Sequence, residues 1–188
     1  MQQSVKAAQG EVGSITPNFG EWYREYFQFV WRSARRLGVA EAELDDAVQD
    51  VFMVVHRQLC DYEPRYSPRA WLFAIARRVA ADHRRTVRRK GGLLPLYEDS
   101  TDGHRDDPLR GAMNKERSDI ILEFLSTVDG ERRAVFILCE LEQLSAPDIA
   151  DAVEANLRTV YSRIRLARQA FAHYVQTHYP ELMGDADG

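Results

Sequence analysis

Ser145-Ala146-Pro147-Asp148-Ile149-Ala150-Asp151-Ala152-Val153-Glu154-Ala155-Asn156-Leu157-Arg158-Thr159-Val160-Tyr161-Ser162-Arg163-Ile164-Arg165-Leu166-Ala167-Arg168 is the stretch that decides the fold. Ser145 followed three residues later by Asp148 has the form of a capping box, and Ile149, Ala150 and Val153 give the short helix behind it an apolar face. Glu154-Ala155-Asn156 makes a tight turn, and Asn156 is a good cap for a second helix. In that helix Leu157, Val160, Ile164, Ala167 and Phe171 form a core-facing stripe. Arg158, Ser162 and Arg165 fall on another face, flanked by Thr159, Arg163 and Arg168. A short helix, a three-residue turn and a longer helix with a basic polar face is the pattern that docks in a DNA major groove. Arginines there reach guanine edges, and those at the flanks hold phosphates. The same spacing also fits an ordinary helical hairpin with solvated arginines.

Upstream, apolar spacing is helical nearly everywhere. Phe19, Trp22, Tyr23, Tyr26, Val30, Ala34 and Leu37 keep the three-and-four rhythm, and Gly38 is placed to stop that helix. Leu44, Ala47, Val48, Val51, Phe52, Val55 and Leu59 repeat it. Ser67 is a cap with Pro68 at the first helical position, opening a third helix through Leu72, Ile75, Ala76, Val79 and His83. Gly91-Gly92 ends the pattern, and the Gly-, Asp- and Pro-rich stretch behind it reads as an acidic tether. Helical spacing resumes near Asn114, breaks at Asp129-Gly130, and continues through Val135, Leu138 and Leu141. The expected fold is all-α: a segment 1–17 without order, a helical domain over 18–90, a linker over 91–113, a second domain over 114–176 and a tail over 177–188.

The 188 residues carry a net charge of −4, which read as an average argues against a nucleic-acid partner. The average conceals strong segregation. Residues 41–63 hold seven acids against Arg57, and residues 65–90 hold nine bases against Asp82. Residues 98–107 are acidic again, and residues 156–169 hold four arginines and no acid. Alternating blocks of this kind predict separate surfaces with different partners. The basic third helix begins among aromatics: Tyr62 and Tyr66 in a short loop read as exposed contacts, whereas Trp71 and Phe73 read as core. Phosphate neutralisation beside aromatic stacking suits DNA that is being opened. The acidic helix presents Asp45, Asp46, Gln49, Asp50 and Met53 opposite its apolar stripe, a face DNA would repel; Phe52 and Met53 beside the acids could anchor a protein.

No apolar run is long enough to span a bilayer, and the N-terminus lacks a hydrophobic signal core, so a cytoplasmic protein without membrane insertion is expected. Cys60 and Cys139 fit no disulfide framework or metal cluster and read as buried helix-end residues. Asp45, Asp46 and Asp50 share a helical face, but no His joins them at ligand spacing, which disfavours a metal-dependent nuclease. No metal, no cofactor and no catalysis are expected. A free-standing helix-turn-helix regulator would account for residues 145–170 but leaves the basic third helix without a role.

Two stretches together resemble bacterial sigma-70-type initiation factors of the extracytoplasmic-function (ECF) group. The first is Leu44-Asp45-Asp46-Ala47-Val48-Gln49-Asp50-Val51-Phe52 with Arg69-Ala70-Trp71-Leu72-Phe73-Ala74-Ile75-Ala76-Arg77-Arg78 and Asp82-His83-Arg84-Arg85. The second runs from Arg133-Ala134-Val135-Phe136 through Leu141-Glu142-Gln143-Leu144-Ser145 into Thr159–Arg168. The resemblance implies a subunit that binds core RNA polymerase and directs promoter-specific initiation. It implies polymerase contacts at Asp46, Gln49, Asp50 and Phe52. It implies promoter −10 contacts at Tyr62, Tyr66, Arg77, Arg78, Arg84, Arg85 and Arg88. Promoter −35 contacts would fall at Asn156, Arg158, Thr159, Ser162, Arg163, Arg165 and Arg168. The tether would run toward the RNA-exit path, and an anti-sigma factor would cover these surfaces. The chain departs from the family pattern at Arg78, where Asn is usual, at Glu154 and Ala155, where Gly and an aliphatic residue are usual, and at Tyr161, often Lys.

Overall fold

The protein is described by a computed structural model over residues 18–89 and 108–182. The expected segment 1–17, residues 91–107 of the expected tether and residues 183–188 of the expected tail lie outside the described residues. Helix α1 (Phe19–Arg36) starts on Asn18, whose side chain accepts from Gly20 N at 2.8 Å. It stops at Leu37, where Gly38 turns the chain with φ +86°, a conformation a side chain would resist. A turn of 3₁₀ helix (Glu41–Glu43) leads into α2 (Leu44–Gln58), and a second (Leu59–Asp61) leaves it. Pro68 opens α3 (Pro68–Arg89) at a position where its missing N–H costs nothing.

Helices α1, α2 and α3 pack on one another, and their apolar stripes close a core of Phe29, Val30, Leu44, Val51, Val55, Leu72 and Phe73, each at most 3% exposed. Each large apolar side chain so buried contributes about 1.5–3 kcal/mol. Trp22, Tyr26, Tyr62 and Trp71 roof one end of this core with edge-on ring contacts; Tyr62 lies 4.8 Å from Trp22 and 5.4 Å from Trp71, centroid to centroid.

Helix α4 (Pro108–Thr127) begins ahead of the periodic residues that marked Asn114, because a proline in the first turn needs no hydrogen-bond acceptor. Asp129 caps α5 (Gly130–Phe136), accepting from the backbone N–H groups of Glu131 and Arg132 at 3.0 Å each. The chain then widens into one π-helical turn (Ile137–Leu141) that Glu142 N closes on Ile137 O at 3.0 Å. Helices α6 (Ala146–Val153) and α7 (Leu157–His178) complete the second half. Phe124, Leu125, Val135, Ile137, Leu138, Ile149 and Val160 form its core, continuous with the first. The two halves meet chiefly where α6 lies along α3. Cys139 is half-buried, but Cys60 is exposed, contrary to the helix-end expectation: it sits in the 3₁₀ turn after α2, where Leu59 takes the inward position.

Candidate nucleic-acid interface

The helix-turn-helix is built by its caps. Ser145 Oγ accepts from Asp148 N at 3.3 Å and donates to the Asp148 carboxylate at 2.6 Å. Glu154 ends α6 in the left-handed region (φ 54°, ψ 46°), a conformation glycine adopts at least cost. Asn156 Oδ1 then accepts from Thr159 N at 2.9 Å and starts α7. This oxygen is committed to the cap, so of the expected DNA contacts Asn156 is first a structural residue. Val160, Ile164 and Ala167 are buried, which turns Arg158, Tyr161, Ser162 and Arg165 outward. Thr159 is half-buried beside them. The flanking arginines are both engaged: Arg163 meets Glu131 at 2.8 Å and Arg168 meets Glu140 at 2.8 Å. Burial, with the neighbouring Glu140, pushes the Cys139 thiol up, away from the reactive thiolate.

The basic face of α3 is more occupied than its charge count suggests. Arg77 reaches Glu131 of α5 at 3.5 Å, Arg78 pairs with Glu154, and Arg85 pairs with Asp82 one turn back. Arg84 donates to Leu37 O, where Arg133 of α5 also donates at 3.0 Å. Burial lowers the Arg84 pKa, and the adjacent Arg133 and Arg88 guanidiniums push it the same way. Arg88 is exposed. The loop ahead of α3 corrects one expectation. Tyr62 is half-buried in the aromatic roof, and its hydroxyl donates to Tyr66 O at 2.5 Å. Its ring is therefore an element of the loop's scaffold, with Trp22 and Trp71 as partners. Burial and Glu25 push the Tyr26 phenol up to about 12. Tyr66 is half-buried, with Arg65 stacked on it, guanidinium carbon 4.7 Å from the ring centroid.

On α2, Asp46, Gln49 and Asp50 are exposed as expected, and Met53 is 54% exposed. Phe52 is not: it is 3% exposed, packed under Phe19, Tyr23 and Phe27. The position belongs to the apolar stripe, and stripe outweighs proximity to acids. Phe52 floors a groove of about 680 Å³ whose walls include Tyr23, Met53, Asp45 and Gln49. An unforeseen tie joins α2 to α3: His83 lies 3.0 Å from Asp50 and 3.3 Å from Glu43. Sequence distance hid this bridge. Among the described residues no group of three or more His, Cys, Asp or Glu is placed to hold a metal ion, and no helix is long and apolar enough to cross a membrane.

Comparison with known proteins fits this geometry. Residues 22–90 match the family described as Sigma-70 region 2, and residues 118–171 match Sigma-70, region 4. The chain is 31% identical over 143 residues to the ECF RNA polymerase sigma factor SigC of Mycobacterium tuberculosis, covering 76% of this chain and 75% of that one. It is 28% identical over 187 residues to the ECF RNA polymerase sigma factor SigE of Mycolicibacterium smegmatis, covering 97% and 71%. Its fold is that of the sigma factor RpoE crystallised with the anti-sigma factor NepR from Bartonella quintana, with TM-score 0.66 at 19% identity over 85% and 98% of the two chains. Two helical units, one carrying a basic helix beside an acidic one and the other a helix-turn-helix, thus match two regions of one kind of protein: the chain belongs to the sigma-70 family, in its ECF group.

Proposed function

We propose that this chain is a promoter-specificity subunit: it binds core RNA polymerase, directs initiation at promoters with defined −10 and −35 elements, and has no catalytic activity of its own. The observation that carries the reading is the pairing of region 2 with region 4, in that order, on two helical units with different charge faces. The exposed side chains of Asp46, Gln49 and Asp50, with the groove floored by Phe52, form the polymerase-binding face. Acidic rim and apolar floor together are the composition of a protein-docking surface. Arg158, Ser162 and Arg165 read −35 base edges in the major groove, with Thr159, Arg163 and Arg168 toward the backbone. Asn156 fixes the entry of that helix. Tyr66, Arg77, Arg78, Arg84, Arg85 and Arg88 line the −10 path, with Tyr62 shaping the loop.

The same reading assigns residues 18–90 and 114–176 to separate functional domains linked by 91–113, and a cytoplasmic location where polymerase works. The neighbouring RpoE was crystallised with an anti-sigma factor; a partner of that kind that covers the polymerase- and DNA-facing surfaces is part of the proposal. A tethered pair of modest modules binds DNA weakly by itself and strongly once polymerase holds both.

The test is reconstitution. The full chain mixed with core polymerase and a genomic promoter library gives a small set of specific transcript starts; none from any promoter overturns the reading. Asp50→Arg lowers core-polymerase affinity by about tenfold, on the order of 1.4 kcal/mol, with the circular dichroism spectrum unchanged. Tight promoter binding without polymerase would instead identify a free-standing regulator.

A further inference from the structure

At the seam between the halves, α3 and the corner from α4 into α5 enclose a cleft of about 350 Å³. Arg84, Arg85 and Arg88 line one wall, on one flank of α3 because residues three and four apart share a helix face. Arg133, Asp129 and Gly130 belong to the other wall. The positive charge gathered here is poorly answered. Arg85 pairs with Asp82, but the two side chains are 66% and 65% exposed, where an ion pair contributes little. Among the described residues no carboxylate lies within bridging distance of Arg84 or Arg88. Asp129, the acid in the lining, is spent on its own turn: one oxygen caps Glu131 N and Arg132 N, and the other meets the Arg132 side chain at 3.1 Å.

Arg84 and Arg133 both donate to Leu37 O, and Arg133 also reaches Val128 O at 3.3 Å. A carbonyl satisfies a donor but brings no charge, so two cations converge on a neutral atom. Burial lowers the Arg84 pKa, and the nearby Arg133 and Arg88 push it the same way, as expected where positive charge crowds without an anion. The cleft also has room: a Cβ built on Gly130 would meet nothing within 4 Å.

We propose that this cleft is a binding site for a diphosphate group, with the half-buried Arg84 and Arg133 holding one phosphate at its base and the exposed Arg85 and Arg88 holding the second at its mouth. Guanidinium forks match phosphate oxygens in bidentate pairs. Orthophosphate can occupy one end of the cleft; two adjacent phosphates answer both, with the higher charge that four arginines require. A nucleic-acid backbone carries one charge on each separate phosphate and lacks that density. On the function proposed above, Arg84, Arg85 and Arg88 also line the −10 path, so a diphosphate seated here takes those donors from promoter DNA. Promoter use then responds to soluble diphosphates.

The test is isothermal titration calorimetry on the full chain, without polymerase or DNA, at physiological ionic strength. Inorganic pyrophosphate binds about tenfold more tightly than orthophosphate. Arg133→Gln weakens pyrophosphate binding about tenfold, and Arg88→Gln does the same from the opposite wall. Arg57→Gln, which removes an exposed arginine of α2 outside the cleft, leaves the affinity unchanged. ADP as tight as pyrophosphate supports the site as one for nucleotides; ADP about tenfold weaker supports it as one for inorganic diphosphate. Equal affinity for orthophosphate and pyrophosphate, or an equal loss in Arg57→Gln, overturns the site and leaves only general attraction to a basic surface. Arg133 holds two backbone carbonyls, so should Arg133→Gln fail to fold, Arg88→Gln decides. Promoter-directed transcription by the parent is measured separately. Transcription without pyrophosphate binding sinks the cleft alone, and binding without transcription sinks the promoter-directing reading alone.

Discussion

Helices α3 and α7 each run 22 residues and each carries a band of arginines, yet the two bands are in different states. On α3, Arg77, Arg78, Arg84 and Arg85 are all held by oxygens of the chain itself. On α7 only the flanking Arg163 and Arg168 are so held, by Glu131 and Glu140, while Arg158 and Arg165 point outward, and among the described residues no carboxylate lies within bridging distance of either. Positive charge counted along a sequence is therefore an upper bound on the charge available to a ligand. A recognition helix must present bare side chains to read base edges, so its arginines need no acid nearby. A helix that meets DNA only when a larger machine is assembled loses nothing by having its charges neutralised until then.

The largest way to break this contrast is at the seam. Gly38 takes φ +86°, and a Cβ added there would lie 2.7 Å from Arg133 Nη1. Gly38→Val is expected to cost about 2–4 kcal/mol through backbone strain and overpacking, read as a fall in urea midpoint. Next comes the free band. Arg165→Ala removes about 1–3 kcal/mol from promoter binding, seen as lost transcription from −35-dependent promoters at unchanged thermal stability. The cap beneath that band gives a smaller effect. Asn156→Ala costs about 1 kcal/mol of stability, and because it frays the start of α7 it also weakens −35 readout. The smallest effect sharpens the comparison on the α3 side. Arg78→Ala changes stability by less than about 0.5 kcal/mol, since its pair with Glu154 is exposed; a larger loss in urea melts would show that the seam carries more than its rim suggests.

Those effects divide along what the sequence could reveal. The helix-turn-helix was legible because its chemistry is local: Ser145 and Asn156 cap residues three positions away. The outward set Arg158, Ser162 and Arg165 followed from the burial of Val160 and Ile164 on the opposite face. Phe52 reads both as a stripe residue and as an anchor beside acids, and only the rings of Phe19, Tyr23 and Phe27 show that it is buried in the stripe. Glu142 meets Arg36 across 106 residues of sequence, and His83 meets Asp50 across 33, so neither pairing leaves a local trace. The π-helical turn that aims Glu142 has no compositional signature either, since Ile137–Leu141 would serve equally in an α-helix.

The aromatic roof has a practical corollary. The three tryptophans of the chain are Trp22, Trp31 and Trp71, all on α1 or α3. Tryptophan emission is consequently an optical reporter of one half alone, whereas the far-ultraviolet helix signal sums over both. Superimposed melting curves from the two signals would mean that the halves unfold as one cooperative unit. Separated curves would time the release of the helix-turn-helix from its neighbour without any label being attached.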